Sequence, residues 1–381
     1  MNRIPLSFYY FSGLKSSFRF VFPFFLFFLT GCSLVRTIVF LQPKLNTYKA
    51  FPSERISPST QPFYFKEVAD VSTLGKQMKL NDRTLYSKIK SLEEFLAEGP
   101  TVSFVVIRND SIVYEYVKDT WPTEALVTSF SIAKSFVATL LGIAISEGKI
   151  PGVDVPITFY FPDLAKKSPK LQSVTIRHLL TMKSGMKQAN PIALYYGSNL
   201  KQHMRKSRYG IKPDSIFAYD NANTQLLAMI IEKATGTPLA KYMEQKLWKP
   251  IGAEHEITWS IDNNRDREVK AFCCLNGRTR DFAKLGRLYL NKGKWNGVQI
   301  VPEDWVQLTA RHDPNKYAVE RYKMHWWLGN NDIGSFYANG MYNQYIWIYP
   351  KKNIVICRFA EINRETDSYW QDIFNEIADQ L

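Results

Sequence analysis

The chain has 381 residues, 45% of them hydrophobic and 14% aromatic, with a formal net charge of +14. That much apolar material can bury one large core or two interlocked ones. The basic charge is spread along the chain, and no helix-turn-helix, zinc-finger or basic-zipper pattern accompanies it, so nothing points to nucleic acid; the charge is compatible with simple solubility or with an anionic envelope surface. No Cys/His spacing suggests a metal site and no glycine loop is set to cradle phosphate, so no cofactor is expected.

Taken in order, the chain opens with Arg3, Lys15 and Arg19 ahead of an apolar run at 20–29. Ten residues are too few to span a bilayer and about right for the core of a signal peptide. The run ends Leu29-Thr30-Gly31-Cys32, which resembles a bacterial lipobox. The resemblance implies a signal peptide over 1–31, a diacylglyceryl group on Cys32 and, because Ser33 follows, sorting to the outer membrane. Residues 32–75 read as a tether and irregular segment, since Pro43, Pro52, Pro58 and Pro62 discourage helix. A helix is expected near 85–97. A β-branched stretch at 101–107, a turn at Arg108-Asn109-Asp110-Ser111 and an alternating stretch at 112–117 predict a hairpin. Residues 130–145 are apolar at nearly every position, as in a buried central helix.

A mostly helical insertion follows from about 150 to 270. Helices at 278–290 and 302–310, strands near 324–328, 335–338, 344–349 and 354–359, and a last helix at 367–381 complete the chain. Strands at both ends around a helical middle predict an α/β (α+β) fold, with an antiparallel sheet flanked by helices and a helical subdomain. The cleft is expected between them.

Three short segments carry chemistry. In Ser131-Ile132-Ala133-Lys134 the serine and lysine share a helix face, so an amine can take the proton of a serine hydroxyl. By itself the pattern more often describes a capping serine beside a solvated lysine, and its setting and companions are what single it out. Tyr219-Asp220-Asn221 enters a helix and can present a phenol and an amide to one cleft, or simply cap that helix. Ala338-Asn339-Gly340-Met341 heads a strand where glycine permits close approach; the N–H groups of Met341 and Ser131 could form an oxyanion pair, or the segment could be a plain turn.

The order Ser-x-x-Lys, Tyr-x-Asn, x-x-Gly resembles the penicillin-recognising serine hydrolases, which include class C β-lactamases, DD-peptidases, family VIII esterases and 6-aminohexanoate-dimer hydrolases. Thr175–Met182 with Ser184-Gly185, Leu247-Trp248-Lys249-Pro250-Ile251-Gly252 and the stretch 281–288 are similar to further segments of that superfamily, so the likeness covers roughly 80–380. It implies a β-lactamase/transpeptidase-like domain over 76–381. It further implies that Ser131 forms an acyl-enzyme, that Lys134 and Tyr219 share base and acid work, and that Asn221 positions substrate or lysine. Asn339, Gly340 and Met341 would line the oxyanion side. The third motif usually begins with Lys or His, which helps to bind a substrate carboxylate. Ala338 cannot do that, so an ester or amide substrate is expected ahead of a β-lactam or a DD-peptide. A catalytically silent binding protein on the same fold is the other alternative. The tail Gly340…Asn343-Gln344-Tyr345…Pro350 is most similar to the 6-aminohexanoate-hydrolase-like branch, where a loop tyrosine assists amide cleavage; Tyr195 or Tyr196 falls in that region. Cys273, Cys274 and Cys357 are expected as small core residues, because bridging adjacent cysteines is strained. Most tryptophans are expected in the core.

Overall fold

Period-two alternation near both ends of the chain builds the central sheet. A computed structural model describes residues 42–381, apart from 69–70, 83–87, 123–124, 188, 311–320, 331 and 364; the signal segment and Cys32 lie outside the described residues. The strands are β1 (Lys66–Glu67), β2 (Thr101–Arg108), β3 (Ser111–Val117), β4 (Tyr322–Lys323), β5 (Trp326–Leu328), β6 (Phe336–Gly340), β7 (Gln344–Tyr349) and β8 (Ile354–Ala360). Their order is β4-β5-β6-β7-β8-β2-β3-β1. Neighbours run antiparallel, as expected, except that β1 lies parallel to β3. The two ends of the chain meet where β8 pairs with β2, from Ile354 opposite Arg108 to Ala360 opposite Thr101. The β2–β3 hairpin turns at Asn109-Asp110, both at positive φ (51° and 60°), a conformation that these residue types tolerate.

Helices cover both faces: α1 (Leu92–Glu98), α2 (Ala133–Ser146), α3 (Asn221–Thr235), α4 (Thr279–Leu290) and α5 (Asp367–Asp379). Alternation sorts the sheet residues. Phe336, Ala338, Ile346, Ile348, Val355 and Cys357 join the core of α2 and α4. Tyr337, Tyr345, Trp347 and Ile356 join the core of α1 and α5 with Trp370 and Phe374. Between 150 and 270 the described residues form short helices around α3, with one strand, Ile257–Ser260.

The N-terminal segment differs from a tether. From residue 42 it packs on the body: Leu45 and Ile56 are buried, and Ser53–Ile56 pairs with Ile257–Ser260 in a second sheet with Leu275–Gly277 and Val127–Thr128. Pro52 and Pro58 flank this strand instead of interrupting it, which is where strands accept proline. The cysteines also depart from expectation. Cys273 and Cys274 are joined by a disulfide, and Cys357 is free. All three are buried in the core, so the correction concerns bonding and not location. Trp259, Trp295, Trp305, Trp326 and Trp347 are buried as expected.

Helix α2 is buried at every position from Ala133 to Ala144. Its Gly142 admits the Trp305 ring: a Cβ there would stand 2.4 Å from the indole. We expect Gly142→Val to lower the unfolding free energy by about 2 kcal/mol, the scale of overpacking a close-packed core, measured by urea denaturation.

Candidate active site

Ser131 leaves the second sheet through Val127–Thr128 and a 3₁₀ turn, Phe130–Ile132, immediately before α2. It therefore precedes the α-helix proper instead of lying in its first turn. Phe130, which opens that turn, has a positive φ of 43°. Lys134, in the first turn of α2, returns to it: Nζ donates to Ser131 Oγ at 3.0 Å and to the Phe272 carbonyl at 2.9 Å. Lys134 is 1% exposed. Burial disfavours the ammonium and lowers its pKa to about 7, with nearby Asp220 opposing the shift.

Helix α3 supplies the second segment. Asp220 caps it, its carboxylate accepting from the Ala222 N–H at 3.0 Å, so Tyr219 and Asn221 are fixed on either side of the cap. Tyr219 is 37% exposed at the cleft; its phenol pKa is raised by desolvation, with the neighbouring Ser131 hydroxyl opposing the shift. Lys134 Nζ lies 4.8 Å from the Tyr219 ring centroid. Serine, amine and phenol thus meet. Asn221 Oδ1 is buried with no hydrogen-bond partner among the described residues. The described bonds of Lys134 go to Ser131 and Phe272, so Lys134 does not satisfy that carbonyl. An unpaired buried carbonyl costs about 1–3 kcal/mol, which a donor on a bound molecule would relieve.

The third segment ends β6. A Cβ on Gly340 would lie 2.5 Å from the Ser129 carbonyl and 3.2 Å from the Ser131 nitrogen, so glycine is what lets the strand reach the serine. Met341 follows directly and is half-exposed. The expectation for Asn339 is corrected. Neighbouring side chains of a strand point to opposite faces; Ala338 belongs to the α2 core, while the Asn339 amide turns to Asp367 of α5 at 3.5 Å. Its side chain lies on the α5 side of the sheet.

The turn after Met341 is held by Arg358, a residue that sequence reasoning missed. Its guanidinium donates to the carbonyls of Asn343 (2.7 Å) and Tyr342 (3.3 Å) and to Thr101 Oγ1 (2.9 Å), and it lies 3.5 Å from the Trp370 centroid. Burial lowers its pKa to about 9. The available signal was an arginine in the otherwise apolar run Ile354–Ala360.

Tyr195 and Tyr196 fall into an aromatic wall. Phe51 meets Tyr195 edge-on at 5.6 Å and stacks on Tyr196 at 6.3 Å. Phe51 belongs to an N-terminal strap, residues 43–51, whose other end is held by the Tyr342 hydroxyl donating to the Pro43 carbonyl. Tyr342 in turn packs edge-on against Phe130, beside Ser131, at 5.5 Å. A pocket of about 800 Å³ opens there, lined by Lys44, Asn46, Trp121, Tyr342 and Glu361 among others. Among the described residues no cluster of three or more metal-ligating side chains occurs.

Residues 89–372 match the family described as Beta-lactamase. The chain belongs to the Beta-lactamase family. As a member, it shares the serine-hydrolase lineage of that family and is homologous to 6-aminohexanoate-dimer hydrolase. The 6-aminohexanoate-dimer hydrolase of Paenarthrobacter ureafaciens is 24% identical over 322 residues, 76% of this chain and 80% of that protein. Among solved structures, a Bacillus anthracis protein whose 6-aminohexanoate-dimer hydrolase identity is itself an assignment superposes with a TM-score of 0.78 at 23% identity, covering 88% of this chain and 92% of its own. A family VIII carboxylesterase superposes at 0.57 with 16% identity, covering 73% and 92% respectively. These two likenesses show the shared fold.

The two neighbouring residues of β6 provide a contrast. We expect Gly340→Ala to slow labelling of Ser131 by a fluorophosphonate about tenfold or more, since its Cβ would push the strand off the serine and even small misplacements cost rate. Asn339→Ala should leave the labelling rate within about twofold of wild type, as expected for a side chain outside the transition state.

Proposed function

We propose that this Beta-lactamase-family protein is an envelope-anchored hydrolase that cleaves an ester or amide through an acyl intermediate on Ser131. The observation that carries the reading is the Lys134 amine, buried and 3.0 Å from the Ser131 hydroxyl, with its pKa drawn down to about 7 by desolvation. A buried amine with a pKa near 7 is half-neutral at physiological pH and can accept a proton. The Tyr219 phenol, its pKa raised by desolvation among the surrounding side chains, keeps its proton and is a donor.

The division of labour follows. Lys134 takes the proton of Ser131 as Oγ attacks the substrate carbonyl carbon. The carbonyl electrons move to oxygen, where the N–H groups of Ser131 and Met341 receive the charge. As the tetrahedral intermediate collapses, the carbon–leaving-group bond breaks and the leaving nitrogen or oxygen takes a proton through Tyr219, which the Lys134 ammonium replaces. Water then attacks the acyl-serine with the same groups in reverse. Asn221, whose buried carbonyl lacks a partner among the described residues, accepts from a substrate N–H. Buried Ala338 offers no cation for a substrate carboxylate, which favours an ester or amide over a β-lactam or DD-peptide. The likeness to 6-aminohexanoate-dimer hydrolase over most of both chains supports a linear amide as one substrate class. The Leu29-Thr30-Gly31-Cys32 pattern supports a lipid anchor on Cys32, and radiolabelled palmitate incorporation lost in Cys32→Ala tests it.

The catalytic reading is tested on protein lacking residues 1–32. Turnover of a nitrophenyl ester that is abolished in Ser131→Ala, with Ser131 labelled by a fluorophosphonate, is the expected result. Stable labelling by a tagged penicillin instead would favour a DD-peptidase or β-lactamase, and silence to both reagents would favour a binding protein. Lys134→Ala and Tyr219→Phe should each lower turnover by about 100-fold or more, the usual scale for acid–base groups. The pH dependence has a definite sign. Protonated Lys134 is inactive as a base, so kcat/KM should fall as pH drops through about 7 and recover above it. A profile flat from about pH 5 to 8, the window in which such a base titrates, would rule Lys134 out as the base.

A further inference from the structure

The hairpin between β4 and β5 contains a backbone that its residues do not favour. Lys323 pairs with Trp326, leaving a two-residue loop of Met324 and His325 with φ of 46° and 67°. A loop with both central residues at positive φ is ordinarily Asn-Gly. Here it is occupied by two large side chains, both buried. Strain of this kind persists only where the surroundings hold it, and it gathers at functional sites.

The contacts of His325 show what the strain retains. Its Nδ1 lies 3.0 Å from the Leu180 carbonyl and 3.1 Å from the Tyr322 hydroxyl. A carbonyl only accepts, so Nδ1 carries the hydrogen. Nε2, 3.0 Å from Thr224 Oγ1, then accepts from that hydroxyl. This is the neutral tautomer, consistent with a pKa lowered to about 3 by burial and by the charge of Lys134. The His325 carbonyl accepts from Ser135 Oγ at 2.7 Å. One residue therefore grips α2 beside Lys134, α3 one turn beyond Tyr219, and Tyr322. The Tyr322 ring meets Tyr219 edge-on at 5.7 Å, and Trp327 stacks on Tyr219 at 6.3 Å. The titratable groups facing the imidazole are Lys134 from α2 and Tyr322 from its own hairpin; Leu180 and Thr224 present no charge.

We propose that His325 is a positioning residue that, through Tyr322 and Ser135, sets the Tyr219 phenol and the Lys134 amine against one hydroxyl. The inference rests on the acid–base roles argued above. It explains why a buried histidine stands where glycine would be unstrained: glycine lacks the imidazole that ties Tyr322 to α3.

Two variants test it. Tyr322→Phe removes one oxygen and leaves the ring that packs on Tyr219. His325→Asn removes the imidazole and keeps a residue that tolerates positive φ. Each is purified without residues 1–32, checked by thermal melting, and assayed for nitrophenyl ester hydrolysis across pH. The expected result is a kcat about tenfold lower in each, the size of effect that small misplacements of reacting groups produce. KM should stay within about twofold, marking a loss confined to the transition state. The low-pH limb should move to higher pH, because a loosened wall admits water to Lys134 and eases its desolvation. Wild-type kcat and an unmoved limb in folded variants would overturn the proposal. If His325→Asn does not fold, Tyr322→Phe decides alone. Wild-type protein that neither turns over ester nor takes fluorophosphonate would overturn the hydrolase reading and this inference with it; active wild type with unchanged variants would overturn this inference only.

Discussion

An amine deprived of water cannot hold its proton as firmly as one in solution, and the interior of this fold is arranged around that penalty. Lys134 sits on a helix buried on all sides, with a hydroxyl and one backbone carbonyl as its described hydrogen-bond partners. A carboxylate bonded directly to the amine would restore the charge. Instead Asp220 spends its oxygens on the Ala222 and Ala189 backbone N–H groups and acts on the lysine only at a distance. The same residue that caps α3 is thereby kept from neutralising the site.

The rest of the architecture brings walls to this amine. The apolar α2 carries it, the capped start of α3 brings a phenol, and the glycine end of β6 closes on the serine backbone. Each wall belongs to a different stretch of chain, and the sheet joins them. The β8–β2 pairing ties the C-terminal strands to the hairpin that leads into the serine turn. Arg358, on β8, reaches across to the turn that follows Met341. A charged side chain in the middle of a core is expensive; here its donors are spread over three oxygens and its plane rests on Trp370.

Much of this was legible in the residues. Alternation at 344–349 and 354–359, the continuous apolar pattern after Phe130 and the turn at Asn109-Asp110 report local preferences, and local preferences survive in the fold. The pairing of Ser131 with Lys134 was legible because a three-residue spacing brings two side chains together in a 3₁₀ turn as well as in an α-helix. What escaped was non-local. Ser53–Ile56 is a strand because of partners some 200 residues away. Asn339 lies inside the expected motif, yet the register of β6 turns it to the opposite face. The Arg358 bridge and the left-handed Met324-His325 loop depend on neighbours that no spacing announces.

The strap at 43–51 carries a consequence for geography. Its first residue already touches the turn that closes on Ser131, and only residues 33–42 separate it from Cys32. Fully stretched, that interval spans no more than about 40 Å. With a lipid on Cys32, the mouth of the cleft would ride within one protein diameter of the bilayer, sampling molecules that collect at or emerge from that surface before those of the open compartment.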